Sequence, residues 1–335
     1  MTDSPYAEAW IPPPPPTPPA APSPAPKRRT GLIAGAIVLV VVLVAGLAVF
    51  TFTRSDTAHA RPLALAFTEG QHTTYQIHQT MDARVSSDLF GDQPMTMDVT
   101  EVVGWEVASV DQDGVATIQV TVSDMNGTVN GQALPSTPLP PLEIVVAPDG
   151  RIVSAGGLSL GGADQTLGFG FPGMGQLTPI LPDPGNPIAV GDSWGKEFSQ
   201  EFPFGEGTIE FTASSTYDRN ETVGGREAAV ITTRFDVPLD LTMNMADLID
   251  ALADRIGGST GPSDIGLLRD ATIAYGGQGT ISQTSWVDLQ AKELLRMQGR
   301  GDFDVALRFS NFPGTQLGSV EMAFTGTFTQ ELERL

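Results

Sequence analysis

An unbroken apolar stretch at residues 31–52, GLIAGAIVLVVVLVAGLAVFTF, determines how the rest of the chain is organised. It contains no charged residue, no amide side chain and no proline. As a helix rising about 1.5 Å per residue it would be about 33 Å long, enough to cross a hydrocarbon core about 30 Å thick. Within lipid the backbone groups can be satisfied only inside the segment, so β-branched residues are no obstacle to a helix. The sequence therefore predicts a single transmembrane helix at residues 31–53.

The charges beside this stretch predict its orientation. Three basic residues, Lys27 to Arg29, precede it, whereas Arg54 on the other side is followed closely by Asp56. The positive-inside rule then places the N-terminus in the cytoplasm and the C-terminal domain outside the cell (plasma) membrane. The alternative is a cleaved secretory signal, for which Ala58-His59-Ala60 would be a suitable site. The apolar run is longer than the roughly 7 to 15 residues of such a signal, which favours an uncleaved anchor.

The residues before the helix have the composition of a disordered tail. Five consecutive prolines, Pro12 to Pro16, lie within residues 1–30 and lack the backbone N–H that helices and sheets require. We expect a disordered, proline-rich cytoplasmic tail with polyproline II character. It is either a spacer or a ligand for an aromatic groove. Residues 54–62 would then link the membrane to an extracytoplasmic domain at 63–335.

Charge and cysteine content restrict the partners of that domain. The chain has 18 basic and 39 acidic residues, and nearly all of the acidic ones follow position 60. Such an excess of negative charge argues against binding nucleic acid. The chain has no cysteine, which removes disulfides, thiolate metal sites and lipid attachment at an N-terminal cysteine.

The domain itself shows the alternation typical of β-strands with one buried face. Residues 73–80, 96–110 and 115–123 are rich in Val, Ile, Thr and aromatic side chains at period two. Turn residues at 111–114 and 148–150 predict two tight hairpins. Further strands are predicted at 142–147, 151–155, 207–217, 228–237, 279–289, 293–298, 302–309 and 319–330.

Two segments depart from the strand pattern and supply the predicted ligand-binding residues. Residues 156–187 are rich in glycine, leucine, phenylalanine and proline, and they either cross the core or line an apolar cavity. Residues 245–256 carry apolar side chains at helical spacing after Asn244, a good N-cap, so we expect an amphipathic helix packed on the sheet. A second, short helix could begin at Ser263. The candidate lining residues for an apolar ligand are Leu167, Phe169, Phe171, Met174, Leu248, Ile249 and Leu252.

No motif supports catalysis. Residues 157–161 match the G-x-S-x-G nucleophile elbow, but every histidine of the chain precedes that serine, whereas the fold needs its base afterwards. Residues 168–173 match G-x-G-x-x-G without the strand and helix that a dinucleotide site needs. His72 and His78 lack a third metal ligand and read as surface residues. We therefore expect a protein that is not an enzyme and has no cofactor or metal.

The two halves of the domain resemble each other weakly. Gly70 to Tyr75 corresponds to Gly191 to Trp194, and the strand–turn–strand at 145–152 corresponds to 286–294. Together with the P-I-A-V-G-D-S-W motif at 187–194, this layout resembles an uncharacterised-domain family of exported or membrane-anchored proteins of high-GC Gram-positive bacteria. It is more distantly similar to the mycobacterial lipid-carrier lipoproteins and the outer-membrane lipoprotein carriers.

The resemblance implies a curved sheet that wraps helices over an apolar cavity. The expected fold class is thus α+β, mainly antiparallel β, with a half-barrel-like duplicated sheet and one or two packed helices. The corresponding function is binding of a lipid or other apolar ligand by a membrane-anchored extracytoplasmic domain. The alternative is a non-enzymatic interaction or scaffolding module that binds another cell-envelope protein.

Overall fold

The computed structural model describes residues 60–87, 89, 91–134, 141–155, 158–159, 178–201, 205–247, 269–311 and 319–335. Antiparallel β-strands account for most of these residues, which confirms the mainly antiparallel β prediction, and helix is confined within them to positions 245–247. These ranges contain no helix with the length and apolar character needed to cross a membrane. The predicted span at 31–53, the rest of the predicted helix at 245–256 and the second helix lie outside the described residues.

The strands are long, and several exceed 15 residues. In chain order they are β1 (Arg61–Pro62), β2 (His72–Ser87), β3 (Gly91–Val110), β4 (Ala116–Val129), β5 (Gln132–Ala133), β6 (Leu142–Val146), β7 (Ile152–Ala155), β8 (Leu158–Ser159), β9 (Pro187–Ile188), β10 (Ser193–Glu201), β11 (Gly205–Val223), β12 (Arg226–Asn244), β13 (Thr272–Asp288), β14 (Leu294–Ser310) and β15 (Ser319–Arg334).

Two meanders lie side by side in one antiparallel sheet. The strand order is β10-β11-β12-β13-β14-β15-β2-β3-β4-β6-β7-β8, with β5 paired to β4. Each run of six strands follows the chain, and the pairing of β15 with β2 joins the two runs. The stretches that the sequence suggests as a repeat occupy equivalent places, because β2 and β10 open the two meanders and β6–β7 and β13–β14 are their fourth and fifth strands.

The predicted hairpins are present, and the reason is local turn chemistry. The side chain of Asp111 accepts hydrogen bonds from the backbone N–H groups of Asp113 at 2.8 Å and Val115 at 2.9 Å, which fixes the turn between β3 and β4. Between β6 and β7, Gly150 has φ +85°, and a Cβ there would lie 1.7 Å from the carbonyl oxygen of Pro179. Only glycine fits at that position.

One predicted boundary is wrong. The sequence pattern separates strands at 293–298 and 302–309, but β14 runs without a break from Leu294 to Ser310. The glycines at 299 and 301 do not end the strand. A Cβ on Gly301 would lie 2.2 Å from the ring of Phe328 on the neighbouring strand, so the glycine makes room for that ring.

The sheet is strongly curved. Lys196 on β10 forms an ion pair with Asp149, just after β6, although nine strand spacings separate β10 from β6 in the sheet order. In a flat sheet those nine spacings would put the two strands about 43 Å apart. The sheet must therefore curl until its two ends share one core on the inner, concave face.

A buried ion-pair cluster fastens the two ends of the curled sheet together, and we call it the seam. Asp149, in the β6–β7 turn, is 1% exposed and accepts a hydrogen bond from Arg151 Nε at 2.6 Å. Its carboxylate also pairs with Lys196 of β10, which lies 3.1 Å from Asp183 as well. The backbone adds a further contact, since the N–H of Leu181 donates to the carbonyl of Asp149 at 2.9 Å.

Candidate functional site

The alternation of buried and exposed residues identifies the side chains that point into the concave face. On β2 the residues Tyr75, Ile77, Met81 and Val85 are all buried, and the residues between them are mostly exposed. On β14 the sequence DFDVALRF places Phe and Val inward and Asp and Arg outward. Because paired residues on adjacent antiparallel strands point to the same face, the register identifies the inward residues of each neighbouring strand. These inward residues form rows that run across the strands of the concave face.

One transverse row of this face is polar. Register aligns Ser215, Thr233, Gln283, Gly299, Gln330 and Gln79 on six consecutive strands from β11 to β2. We call these residues the polar row. Four of them, namely Ser215, Thr233, Gln283 and Gln330, are each only 1% exposed. The row divides the apolar concave face into two parts.

At one end the hydroxyl and amide groups of the polar row bind one another and the chain. Ser215 Oγ and Thr233 Oγ1 are 2.9 Å apart. Gln283 Nε2 donates to Ser285 Oγ at 2.9 Å and to the carbonyl of Thr178 at 3.3 Å. At the other end the situation differs, because Gln330 Nε2 is buried without a hydrogen-bond partner among the residues that the structure describes.

The part of the concave face beside the hairpin turns at 148–150 and 289–293 is a close-packed core, which we call the packed half. Its cluster is dominated by Ile, Val and Leu, with Tyr75 and Trp105 in edge-to-face contact at 5.1 Å. Tyr75 Oη donates to the carbonyl of Leu294 at 3.1 Å, and burial raises the pKa of this phenol. A cavity of about 20 Å³ lies against these two rings, which is room for about one water molecule.

The part on the other side of the polar row has a different composition, and we call it the Phe/Met half. It is formed by inward residues of β12 to β15, β2 and β3 that are buried but do not belong to the packed-half cluster. These residues are Phe235, Val237, Leu241, Met243, Ile273, Tyr275, Ile281, Phe303, Val305, Leu307, Phe309, Met322, Phe324, Phe328, Met81, Ala83, Val85, Met95 and Met97.

Large and small residues alternate across the Phe/Met half. Phe303 lies between Gly279 and Gly326 in register, and its ring stacks with that of Phe328 at a centroid distance of 6.0 Å. Tyr275 is the polar residue at depth here: its hydroxyl lies 4.0 Å from the sulfur of Met243, and burial raises its pKa. On the Phe/Met side of the polar row, no inward position of these described strands is Asp, Glu, Lys or Arg. Chemically, this half of the concave face offers apolar contacts and the hydroxyl group of Tyr275.

A single carboxyl group faces inward next to the polar row. Glu101 lies opposite Ile77 of β2 and Met125 of β4, on the packed side of the row. Burial raises its pKa because its surroundings disfavour the charged carboxylate. The strict alternation of β3 on its β2 side, where Val99 and Val103 are also buried, fixes this orientation.

The candidate lining residues named from the sequence, Leu167, Phe169, Phe171, Met174, Leu248, Ile249 and Leu252, all lie outside the described residues. The polar row, Glu101 and the Phe/Met half are not among the residues predicted from the sequence. Phe and Met at alternate positions on β14 and β15 were the available signal for the Phe/Met half. No local signal marks the polar row, because it depends on register between strands that are distant in sequence.

The two histidines lie on the outer face of β2. His78 Nε2 is 3.0 Å from Asp98 Oδ1 and His72 Nε2 is 3.9 Å from Glu106 Oε1, and all four side chains are well exposed. In the described part of the chain, no three His, Asp or Glu side chains are grouped so that they could hold a metal ion. Ser159, from the G-x-S-x-G match, lies in β8 and pairs with Ser154.

Comparison with known proteins adds little. No protein-family model and no curated protein matches the chain. Among solved structures, two mutants of the Rh. blastica porin align with 78% of this chain and 100% of their own, at 9% sequence identity and TM-scores of 0.24 and 0.23. A similarity this weak supports neither a common fold nor a common function.

Proposed function

We propose that this chain is a single-pass membrane-anchored protein whose extracytoplasmic β-domain binds a lipid or other apolar ligand on the Phe/Met half of its concave face. The observation that carries the proposal is the composition of that half. Over six strands its inward positions are apolar or glycine except for Ser87 and Gln93 near the ends of β2 and β3, while the outward positions between them are largely charged or polar. The packed half already supplies the sheet with a close-packed hydrophobic core, so stability of the fold does not by itself explain a second apolar half.

The dimensions of the Phe/Met half suit an acyl chain. Along β13 to β15 the inward rows between the polar row and the strand ends span about 26 Å, taking about 3.3 Å per residue. One leaflet of a bilayer is about 15 Å of hydrocarbon, half of the core thickness. An extended chain of membrane-lipid length therefore fits along the strands. Methionine side chains, which adapt to irregular shapes, are suited to a ligand of this kind.

The anchor belongs to the same proposal. The apolar stretch at 31–53 would hold the domain at the outer surface of the cell membrane, where lipids are the nearest apolar ligands. The half-barrel-like curvature and the equivalent order of the two meanders support a duplicated unit whose concave face encloses the ligand. A tethered domain of this kind acts within the reach of its linker at residues 54–62.

The test uses the full-length chain purified from membranes without added lipid. Native mass spectrometry and lipid extraction should find a bound amphiphile. Val305→Phe fills space on the inward side and should reduce the amount bound, whereas Thr325→Phe adds the same ring on the outer face of the adjacent strand and should not. The proposal fails if the wild-type chain carries no amphiphile and takes up none from added vesicles of mixed membrane lipids.

A further inference from the structure

The polar row contains hydrogen-bonding capacity that the fold leaves unused. Gln330 is 1% exposed, and its amide nitrogen has no partner among the described residues. Its neighbours at i−2 and i+2, Phe328 and Leu332, are both buried on the concave face, so Gln330 points inward as they do. A buried amide donor without a partner destabilises a protein, and such groups are rare unless something binds them.

Two further polar groups follow Gln330 on the next two strands of the sheet, β2 and β3. Gln79 is its direct register partner on β2. Glu101 is diagonal to Gln79 across the β2–β3 pair, a relation that puts Cβ atoms about 7 to 8 Å apart and lets long side chains meet. The raised pKa of the Glu101 carboxyl agrees with an apolar setting beside the row. Two amides and one carboxyl group therefore occupy inward positions on three consecutive strands, β15, β2 and β3, where the Phe/Met half ends.

The charges around these three side chains favour some ligand head groups over others. No position of the polar row is Lys or Arg, and the two cations of the seam, Lys196 and Arg151, are paired with Asp149. An anionic head group would meet Glu101 without a compensating cation. A hydroxyl group, which both donates and accepts, can satisfy an amide and a carboxyl group together.

We propose that Gln330, Gln79 and Glu101 bind the uncharged, hydroxyl-bearing head of an amphiphile whose chain lies along the Phe/Met half. This inference rests on the function proposed above and names the class of ligand for the same site. The free amide N–H of Gln330 donates to an oxygen of the head group, and Glu101 binds its hydroxyl. The apolar rows beyond Phe328 take the chain.

Four radiolabelled probes with equal chain lengths test the proposal on the immobilised full-length chain in lipid-free amphipol. They are monopalmitoylglycerol, palmitate, hexadecyltrimethylammonium and hexadecane, which differ in the charge and hydrogen bonding of the head. The wild-type chain should bind monopalmitoylglycerol most tightly. Gln330→Leu should weaken that binding about 10-fold, the value of one buried hydrogen bond, and leave hexadecane binding unchanged.

Gln76→Leu is the matched control, because Gln76 is exposed on the outer face of the strand that carries Gln79, and it should change neither affinity. Thermal melts check the folding of each variant, and Gln79→Leu replaces Gln330→Leu if the latter does not fold. Equal binding of all four probes, preference for the cationic or anionic probe, or an unchanged preference in the folded variant would overturn the head-group proposal. Retention of none of the probes would instead overturn the ligand-binding function.

Discussion

The packed half and the Phe/Met half are both apolar and both buried, yet they are built from different side chains. The packed half relies on Ile, Val, Leu, Tyr and Trp, with Met297 as the one methionine in its cluster and no phenylalanine among the buried members. The Phe/Met half has five methionines and five phenylalanines, set against glycines. Branched side chains have few rotamers and specify one packing, whereas methionine adapts to several. Under the proposed function, the packed half holds the fold and the Phe/Met half accommodates the ligand.

The seam should show the largest effect, because the packed half depends on it. Asp149→Ala would leave Lys196 and Arg151 without their shared buried carboxylate, and breaking a buried pair in this way costs about 3–5 kcal/mol. Chemical denaturation of the full-length chain measures the loss. The matched control is Asp92→Ala, which removes the exposed pair with Arg84 at 3.5 Å and should cost less than about 1 kcal/mol. Equal costs would show that the seam does not hold the curvature.

Substitution of one buried methionine in each half compares how much the two halves contribute to stability. Met297 in the packed half and Met81 in the Phe/Met half are 2% and 3% exposed. Met297→Ala should destabilise the ligand-free chain by about 2–5 kcal/mol, the usual cost of a cavity in a close-packed core. Met81→Ala should cost less, because its surroundings adapt to different volumes. Thermal melts of both variants decide this, and a larger loss for Met81→Ala would reverse the assignment of the two halves.

A glycine within the Phe/Met half should show an intermediate effect. Gly301→Ala puts a methyl group 2.2 Å from the ring of Phe328, so the ring must move, at a cost of about 1–3 kcal/mol. At Gly195, on the edge strand β10, the nearest atom to an added Cβ is 3.8 Å away, so Gly195→Ala should be nearly neutral. Unfolding curves of the two variants test the close fit of glycine and phenylalanine, which a neutral Gly301→Ala would contradict.

Glu101 should give the smallest effect, and its sign depends on pH. Burial raises the pKa of Glu101 in the folded state, so protonation of this carboxyl favours the folded over the unfolded chain. The contribution is fully present below the ordinary glutamate pKa of about 4.3. That advantage is lost as the pH rises through the folded pKa. Glu101→Gln should therefore be more stable than wild type at pH 7, and the gain should vanish below about pH 4.

Denaturation at both pH values measures this difference. The control is Glu106→Gln, at an exposed position on the outer face of the same strand, which should change the stability by less than about 1 kcal/mol. A Glu101→Gln variant that is less stable than wild type at pH 7 would mean that the ionised carboxylate has a partner and does not face an apolar surface.

These features differ in how far the sequence could predict them. Hairpins at 111–114 and 148–150 were predictable because the side chain of Asp111 and the positive φ of Gly150 act within their own turns, whereas the close approach of Pro179 to Gly150 was not predictable. The break expected near Gly299 was wrong because the local meaning of glycine, a strand end, gave way to a contact with Phe328 on another strand. The polar row was not predictable from the sequence because it also depends on contacts between strands that are distant in the chain. Gln330 and Gln79 are separated by most of the domain, and only the pairing of β15 with β2 brings them together.

The location of the ligand is the central claim, and photolabelling tests it most directly. The full-length chain would be equilibrated with a diazirine-bearing monoacylglycerol, irradiated, digested and sequenced by mass spectrometry. The account predicts labels on the inward residues of β13 to β15 and β2 beyond the polar row, for example Phe303, Val305 and Phe324, which unlabelled monopalmitoylglycerol should suppress. Labels that fall instead in the packed half, or on the outward residues between these positions, would contradict it.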